Sequence, residues 1–127
     1  MASRLGTDSS GANQMDKWEV QLRKGCLELA ILASLWPGTL YGLEILRNLE
    51  EDAGLELSAS TVYPLLARLK AEHLVESEWV ETDLVHPRKY YRLTPAGRRR
   101  AIDMARVWSR FTASLGGLLT PLMKEGR

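Results

Sequence analysis

The chain holds a single cysteine, Cys26, and two histidines, His73 and His86, among 127 residues. A lone thiol has no disulfide partner in the chain, and Cys26 lies in an apolar stretch, so it reads as a buried thiol rather than a nucleophile. Two histidines this far apart are too few for a metal site. No Gly-rich phosphate loop, paired-acid motif or nucleophile elbow is present. The sequence therefore offers no catalytic residue, no metal and no cofactor, and it does not read as an enzyme. No run approaches the roughly 18 apolar residues of a membrane span, and the first residues lack a basic-then-apolar signal pattern. A soluble, cytoplasmic protein with no membrane partner is the expectation.

Net charge is also scarce, only +1 overall, but it is segregated. Between Leu84 and Arg100 the chain places Arg88, Lys89, Arg92, Arg98, Arg99 and Arg100 without one acidic residue. The acids gather elsewhere, in Glu50, Glu51 and Asp52 and in Glu76, Glu78, Glu81 and Asp83. A basic segment alone is usually a solvated face. Beside a helix suited to a groove it becomes the electrostatic footprint of a duplex binder.

Such a helix precedes it. Val62, Leu65, Leu66, Leu69 and His73 fall on one stripe at helical spacing, the core face of a helix over residues 58–73. The opposite side carries Ser60, Thr61, Pro64, Arg68 and Ala71, small or hydrogen-bonding residues that permit close approach to a surface. Ser and Thr reach phosphates or base edges and Arg can fork onto guanine, which suits a major groove about 12 Å wide. Ser58 or Ser60 serves as the cap. Pro64 leaves the Ser60 carbonyl without its donor, which is cheap if the helix starts at Ser60; a helix-start proline and a DNA-facing device remain equal readings. The bland alternative is a surface helix with few charges.

The flanking elements complete an outline. Residues 1–14 are rich in Ser and Gly with little to bury, and are expected to form a mobile tail. A helix spans Asp16 to Trp36, apolar on nearly every side after Cys26, and Pro37-Gly38 stops it. A second helix, from about Leu40 to Ala53, buries Leu43, Ile45, Leu46 and Leu49 and ends at Gly54. After the third helix, Val75–Glu81 and Lys89–Leu93 read as antiparallel strands with a turn over Asp83–Pro87. Tyr90 and Tyr91 must face opposite ways. Tyr90 shares a face with Arg88 and Arg92, which favours it as the nucleic-acid neighbour. Thr94-Pro95 starts a last helix. Along it Ala101, Met104, Trp108, Phe111, Leu115, Leu118 and Leu122 alternate by 3 and 4, a coiled-coil-like seam. With no later element to cover it, this stripe predicts a second subunit, packed also through Trp18 and Leu22. Two-fold symmetry would set recognition helices about 34 Å apart on a pseudo-palindromic operator.

Three motifs give this outline a family likeness. Tyr41-Gly42-Leu43-Glu44-Ile45, then Ser60-Thr61-Val62-Tyr63-Pro64-Leu65-Leu66-Ala67-Arg68-Leu69, then Pro87-Arg88-Lys89-Tyr90-Tyr91-Arg92-Leu93-Thr94 with Gly97 resemble the PadR family of transcriptional regulators, from about Met15 to the C-terminus. The resemblance implies a homodimeric, usually repressing DNA-binding protein with a C-terminal dimerisation helix, and favours a DNA-facing Tyr63. One departure stands out. The family's wing turn commonly reads Gly-Arg-Pro-Arg-Lys, whereas this chain has Asp83-Leu84-Val85-His86-Pro87-Arg88-Lys89, so a weaker grip on the minor groove is expected. Trp108-Ser109-Arg110 also resembles multidrug-sensing members, which implies an aromatic slot for a planar effector at Trp108 and Phe111, against plain dimer packing.

The fold expected is mainly α with a small β-hairpin: tail 1–14, winged helix-turn-helix 15–94 and dimerisation helix 95–127. Double-stranded DNA is the partner, met by helix 58–73 in the major groove and by the 82–89 wing on the flanking backbone. Tyr41, Ser60, Thr61, Tyr63, Pro64, Arg68, His86, Arg88 and Lys89 are the candidate contacts. The competing reading is a winged-helix protein-interaction module that does not bind DNA.

Overall fold

The computed structural model describes residues 2–55, 57–81 and 86–126, with side chains from residue 14 onward. The elements run α1 (Ala2–Ser34), β1 (Leu40–Tyr41), α2 (Gly42–Ala53), α3 (Ala59–Ala71), β2 (Val75–Val80), β3 (Arg88–Leu93) and α4 (Pro95–Glu125). Helix α1 begins at Ala2 rather than near Asp16, so helical backbone occupies residues for which composition predicts a mobile tail. Propagating an existing helix costs far less than nucleating one, and no proline interrupts this stretch. At its other end the Leu35 and Trp36 amides bond back into the last turn, and Pro37-Gly38 follows.

Helix α2 starts two residues later than its sequence pattern indicates, because Leu40 and Tyr41 form a short strand. That strand pairs with β3, Leu40 opposite Tyr91 and Tyr41 opposite Tyr90, while β2 pairs on the other side of β3 from Val75↔Leu93 to Val80↔Arg88. The expected hairpin is thus a three-stranded sheet of order β1-β3-β2. The Tyr41 amide donates to Glu44 Oε1 at 3.0 Å, closing the N-terminus of α2. Gly54 closes the other end in the left-handed conformation, φ 65°, and the Leu55 amide bonds to the Leu49 carbonyl.

Ser58 caps α3. Pro64 therefore stands in the second turn, not the first, and the Ser60 carbonyl loses its helical donor there. The helix stops at Ala71, short of the predicted 73. His73 turns to φ 62° and is exposed, so it leaves the core stripe to which its spacing assigns it. The turn is held from outside: Thr94 Oγ1 donates to the His73 carbonyl at 2.7 Å and accepts from the Gly97 amide at 2.9 Å. Gly97 approaches so closely that a Cβ there would meet the Leu74 carbonyl group. This buried corner fixes where β2 departs and α4 begins.

The core gathers Leu27, Ile31, Leu32 and Leu35 of α1, Ile45 and Leu49 of α2, and Val62, Leu66 and Leu69 of α3 with Leu74, Val75, Tyr91 and Ala101. Burying each large side chain contributes about 1.5–3 kcal/mol. Leu46 is only partly buried, and Leu43, expected inside, is exposed because its side of α2 borders an open groove. Strand alternation resolves the tyrosine pair: Tyr91 enters the core and Tyr90 lies on the opposite face of the sheet.

Candidate nucleic-acid interface

A groove of about 910 Å³ opens between α3, the start of α2 and the sheet. One wall is α3, through Tyr63, Ala67, Lys70 and Ala71, which recur at helical spacing. The facing wall is Trp79, Lys89 and Tyr91 of the hairpin, with Tyr41, Gly42, Leu43 and Arg88 at the end. Lys70, Arg88 and Lys89 give it positive charge, and no carboxylate among the described residues lines it. The Arg88 guanidinium stacks over the Tyr41 ring at 4.4 Å, and the Tyr41 and Tyr90 rings meet edge to face at 5.6 Å. Lys89 Nζ stands 5.7 Å from the Trp79 ring and 5.8 Å from that of Tyr91. These ring contacts hold the cations in place without neutralising them.

The candidate contacts divide in this geometry. Tyr41, Tyr63, Arg88 and Lys89 share the groove. Ser60 and Thr61 lie in the first turn of α3 beside it, where the Ser58 hydroxyl meets Ser60 Oγ at 2.7 Å and Thr61 Oγ1 at 3.2 Å, a cluster of hydroxyls at the helix start. Pro64 and His86 are exposed; the rest of the expected wing tip, residues 82–85, lies outside the described residues. Arg68 is not brought to the groove. It reaches back to Glu28 of α1 at 2.7 Å and along its own helix to Glu72 at 2.9 Å. Its hydrogen bond to Glu28, then that to Glu72, raise its pKa and keep it charged.

The basic segment divides too. Arg92 is held by Glu76 at 2.8 Å and Glu78 at 3.4 Å on the outer face of the sheet. Arg98 stacks on Trp36 at 4.4 Å, and Arg100 pairs with Glu28 at 3.2 Å. Tyr90 lies with Arg92 on the outer face and meets the Tyr41 ring at the end of the groove, Lys89 and Tyr91 face the groove itself, and only part of the basic segment is therefore left to it. Composition could not reveal this, because the acids that absorb Arg92 and Arg100 are distant in sequence. Conversely Lys70, Ala67 and Trp79 were missed. Lys70 and Ala67 follow Tyr63 by seven and four residues, a helical signal; Trp79 follows Val75 and Ser77 along one strand face, and at 67% exposure it is an aromatic with no core role.

A second concavity, about 580 Å³, lies between α1 and α4. Leu22, Cys26, Leu29, Met104, Trp108, Phe111 and Leu115 line it, and Cys26 is only half-buried there. Trp108 and Phe111 remain 49% and 61% exposed, and Trp18, Leu22, Leu118 and Leu122 more than half exposed. Ala101 is buried and Met104 partly so by α1, so α4 does find a partner within the chain along its first turns only. Among the described residues no group of three or more His, Cys, Asp or Glu could hold a metal ion, and no helix is long and apolar enough to cross a membrane.

A groove bounded by a helix and a wing, on a three-helix core, has counterparts among known proteins. The model of the "Transcriptional regulator PadR-like family" matches residues 31–102, from the end of α1 to the start of α4. The crystal structure of a PadR family transcriptional regulator from Eggerthella lenta is 31% identical, covering 88% of this chain and 97% of that chain, with a TM-score of 0.80. A PadR-like regulator from Bacillus cereus is 30% identical over 79% of this chain and 97% of that one, TM-score 0.72. Bacillus subtilis PadR in complex with operator DNA is 31% identical over 62% of this chain and 46% of that chain, TM-score 0.56. The family is one of transcriptional regulators, not enzymes. The family match spans more than half of the chain and takes in both walls of the basic groove; α2, α3 and the sheet form its winged helix, and the chain belongs to the PadR-like family of transcriptional regulators.

Proposed function

We propose that the protein is a homodimeric, ligand-responsive repressor that binds a pseudo-palindromic operator. The observation that carries the DNA side is the groove beside α3, lined by the three cations Lys70, Arg88 and Lys89 and, among the described residues, by no carboxylate. The N-terminal half of α3, with Ser60, Thr61, Tyr63 and Pro64, enters the major groove. Tyr41, His86, Arg88 and Lys89 meet the flanking backbone, joined by Lys70 and Trp79. Arg68 reads a base only by exchanging Glu28 and Glu72 for it, so its substitution changes sequence preference less than that of Thr61. Phosphate contacts position the protein and base edges specify the site.

The dimer forms through α1 and α4, covering Trp18, Leu22, Met104, Trp108, Phe111, Leu115, Leu118 and Leu122. An apolar stripe of this extent, open along two long helices, supports that reading. Trp108 and Phe111 then wall a slot for a planar aromatic effector across the dimer axis, supported by the apolar groove they border. A ligand there that favours one spacing of the subunits changes operator affinity by linkage. The protein acts in the cytoplasm, on the nucleoid.

The test is binding of the purified protein to the DNA immediately upstream of its own coding region, against a scrambled duplex, over several salt concentrations. Sequence-dependent binding whose affinity falls steeply with salt supports the reading; equal, weak binding to both duplexes rejects it. Titration with planar aromatics, followed by tryptophan emission and operator affinity together, tests the effector. Unchanged signals in both sink that part alone.

A further inference from the structure

We propose that Gly42 is a positioning residue for DNA recognition: it is the floor on which Tyr63 of α3 lies, and any side chain there would displace that ring from its place on the groove wall. The inference rests on the DNA-facing role of Tyr63 given above. Gly42 is the first residue of α2, directly after its cap Tyr41. Its backbone does not call for glycine, since Gly54 is the glycine among the described residues that adopts a positive φ. The space around it does. Gly42 is buried, and a Cβ built there would fall 2.5 Å from Tyr63 Cε1 and 2.8 Å from Cζ, with the Tyr63 hydroxyl nearer still. Real Cβ atoms do not approach ring atoms so closely, so ring or helix must shift.

The atoms that a Cβ at 42 would meet are the far end of the Tyr63 side chain, so the ring turns before the helix moves. Tyr63 is 39% exposed and lines the groove together with Gly42, Leu43, Lys70 and Arg88. Pushed off Gly42, it turns either into that groove, taking space meant for the DNA strand, or outward across the leading surface of α3. Gly42 thus couples α2 to α3 by setting the direction of the phenol. A longer residue at 42 would change recognition without touching DNA itself.

The experiment is a double-mutant cycle on operator binding, with folding followed by circular dichroism and thermal melting. The variants are Gly42→Ala, Tyr63→Ala, the two combined, and Tyr63→Phe. Each single alanine is expected to weaken operator binding roughly tenfold, which is about 1.4 kcal/mol, and to reduce discrimination among single-base operator variants. The combined variant is expected to be no worse than Tyr63→Ala, because the clash has lost its partner, and Tyr63→Phe to keep most of the discrimination. Should Gly42→Ala fail to fold, recovery of folding in the combined variant supports the same conclusion. Independent, additive losses overturn the proposal, as does a combined variant that stays unfolded. A harmful Tyr63→Ala beside a harmless Gly42→Ala overturns the positioning role alone. A harmless Tyr63→Ala overturns the DNA role of Tyr63, and the proposal with it.

Discussion

In the unit from Leu40 to Leu93, the large aliphatic side chains of α2 and α3 turn inward, and the exposed Leu43, Tyr63 and Trp79 border one basic groove. Along α1 and α4 the proportion reverses: Trp18, Leu22, Val107, Trp108, Phe111, Leu118, Leu122 and Met123 all lie largely in the open. The first unit is a finished core with a charged working face. The second is a pair of long helices that join that core through Leu27, Ile31, Leu32 and Leu35 of α1 and Ala101 and Met104 of α4, and leave the rest of their apolar side open. Exposed apolar surface on a monomer's long helices is costly to leave in water, whereas an exposed groove of cations and rings is stable in water and attractive to phosphate. The same chain therefore presents two chemically different surfaces, matching the operator and the second subunit proposed above, and each can be disabled while the other is left intact.

Breaking the helical surface gives the largest expected effect. Phe111→Asp places a charge in the middle of the stripe, on a residue 61% exposed in the single chain, so folding of the monomer is spared. Sedimentation is expected to show monomers, and operator affinity to fall by about 10²-fold or more as the two half-sites lose their linkage. Binding to non-specific DNA by one winged helix should change little. A variant that remains dimeric at micromolar concentration would remove the seam from this account.

The groove is tested by contrast between cations that pair with no carboxylate among the described residues and those that do. Lys70→Ala with Lys89→Ala is expected to flatten the salt dependence, each lost phosphate contact lowering the slope by about 0.9. Arg92→Ala is expected to leave it unchanged, since Glu76 and Glu78 already hold that guanidinium. Equal effects from the two sets would mean that the basic segment acts as one diffuse field rather than as a shaped groove.

A third substitution separates stability from binding. Thr94 caps α4 and ties it to the end of α3 through the His73 carbonyl. Thr94→Ala removes both links and is expected to cost about 0.5–2 kcal/mol in urea unfolding, lowering the melting temperature by several degrees. Operator affinity below the transition should stay as it was, because no atom of this corner reaches the groove.

The limits of the sequence follow from the same particulars. Element order, the Thr94-Pro95 helix start and the groove's Tyr41, Tyr63, Arg88 and Lys89 are legible because each rests on periodicity, capping or a local motif. The misplacements share a different cause. Arg68 and Arg92 look available on a helical wheel or a strand, but Glu28 and Glu76 reach them from α1 and β2. Leu40 looks like helix until β3 comes to pair with it, and His73 fits the stripe until Thr94 draws its carbonyl out of the helix. Local pattern decides what an element is; tertiary partners decide where it ends and which of its charges remain free.

The smallest expected effect concerns the residue that joins the two surfaces' supporting cores, Tyr91, which packs into the core behind the groove wall. Burial, with a lesser contribution from nearby Tyr63, raises its phenol pKa above the ordinary 10.0. The folded state thus disfavours the phenolate relative to the unfolded chain. The stability tied to the neutral phenol is fully present below pH 10 and is lost as pH rises from the unfolded value through the higher folded one. Unfolding by urea at pH 9 should therefore match that at neutral pH as far as this residue is concerned, and Tyr91→Phe, which cannot ionise, should lose less stability between pH 10 and 11 than the parent. An identical alkaline decline in both would place the sensitivity in other groups. The groove predicts the accompanying sign for DNA: a phenolate at position 91 sets a negative charge beside Lys89, whose ammonium lies 5.8 Å from that ring, so operator affinity should weaken over the same alkaline range in the parent more than in Tyr91→Phe.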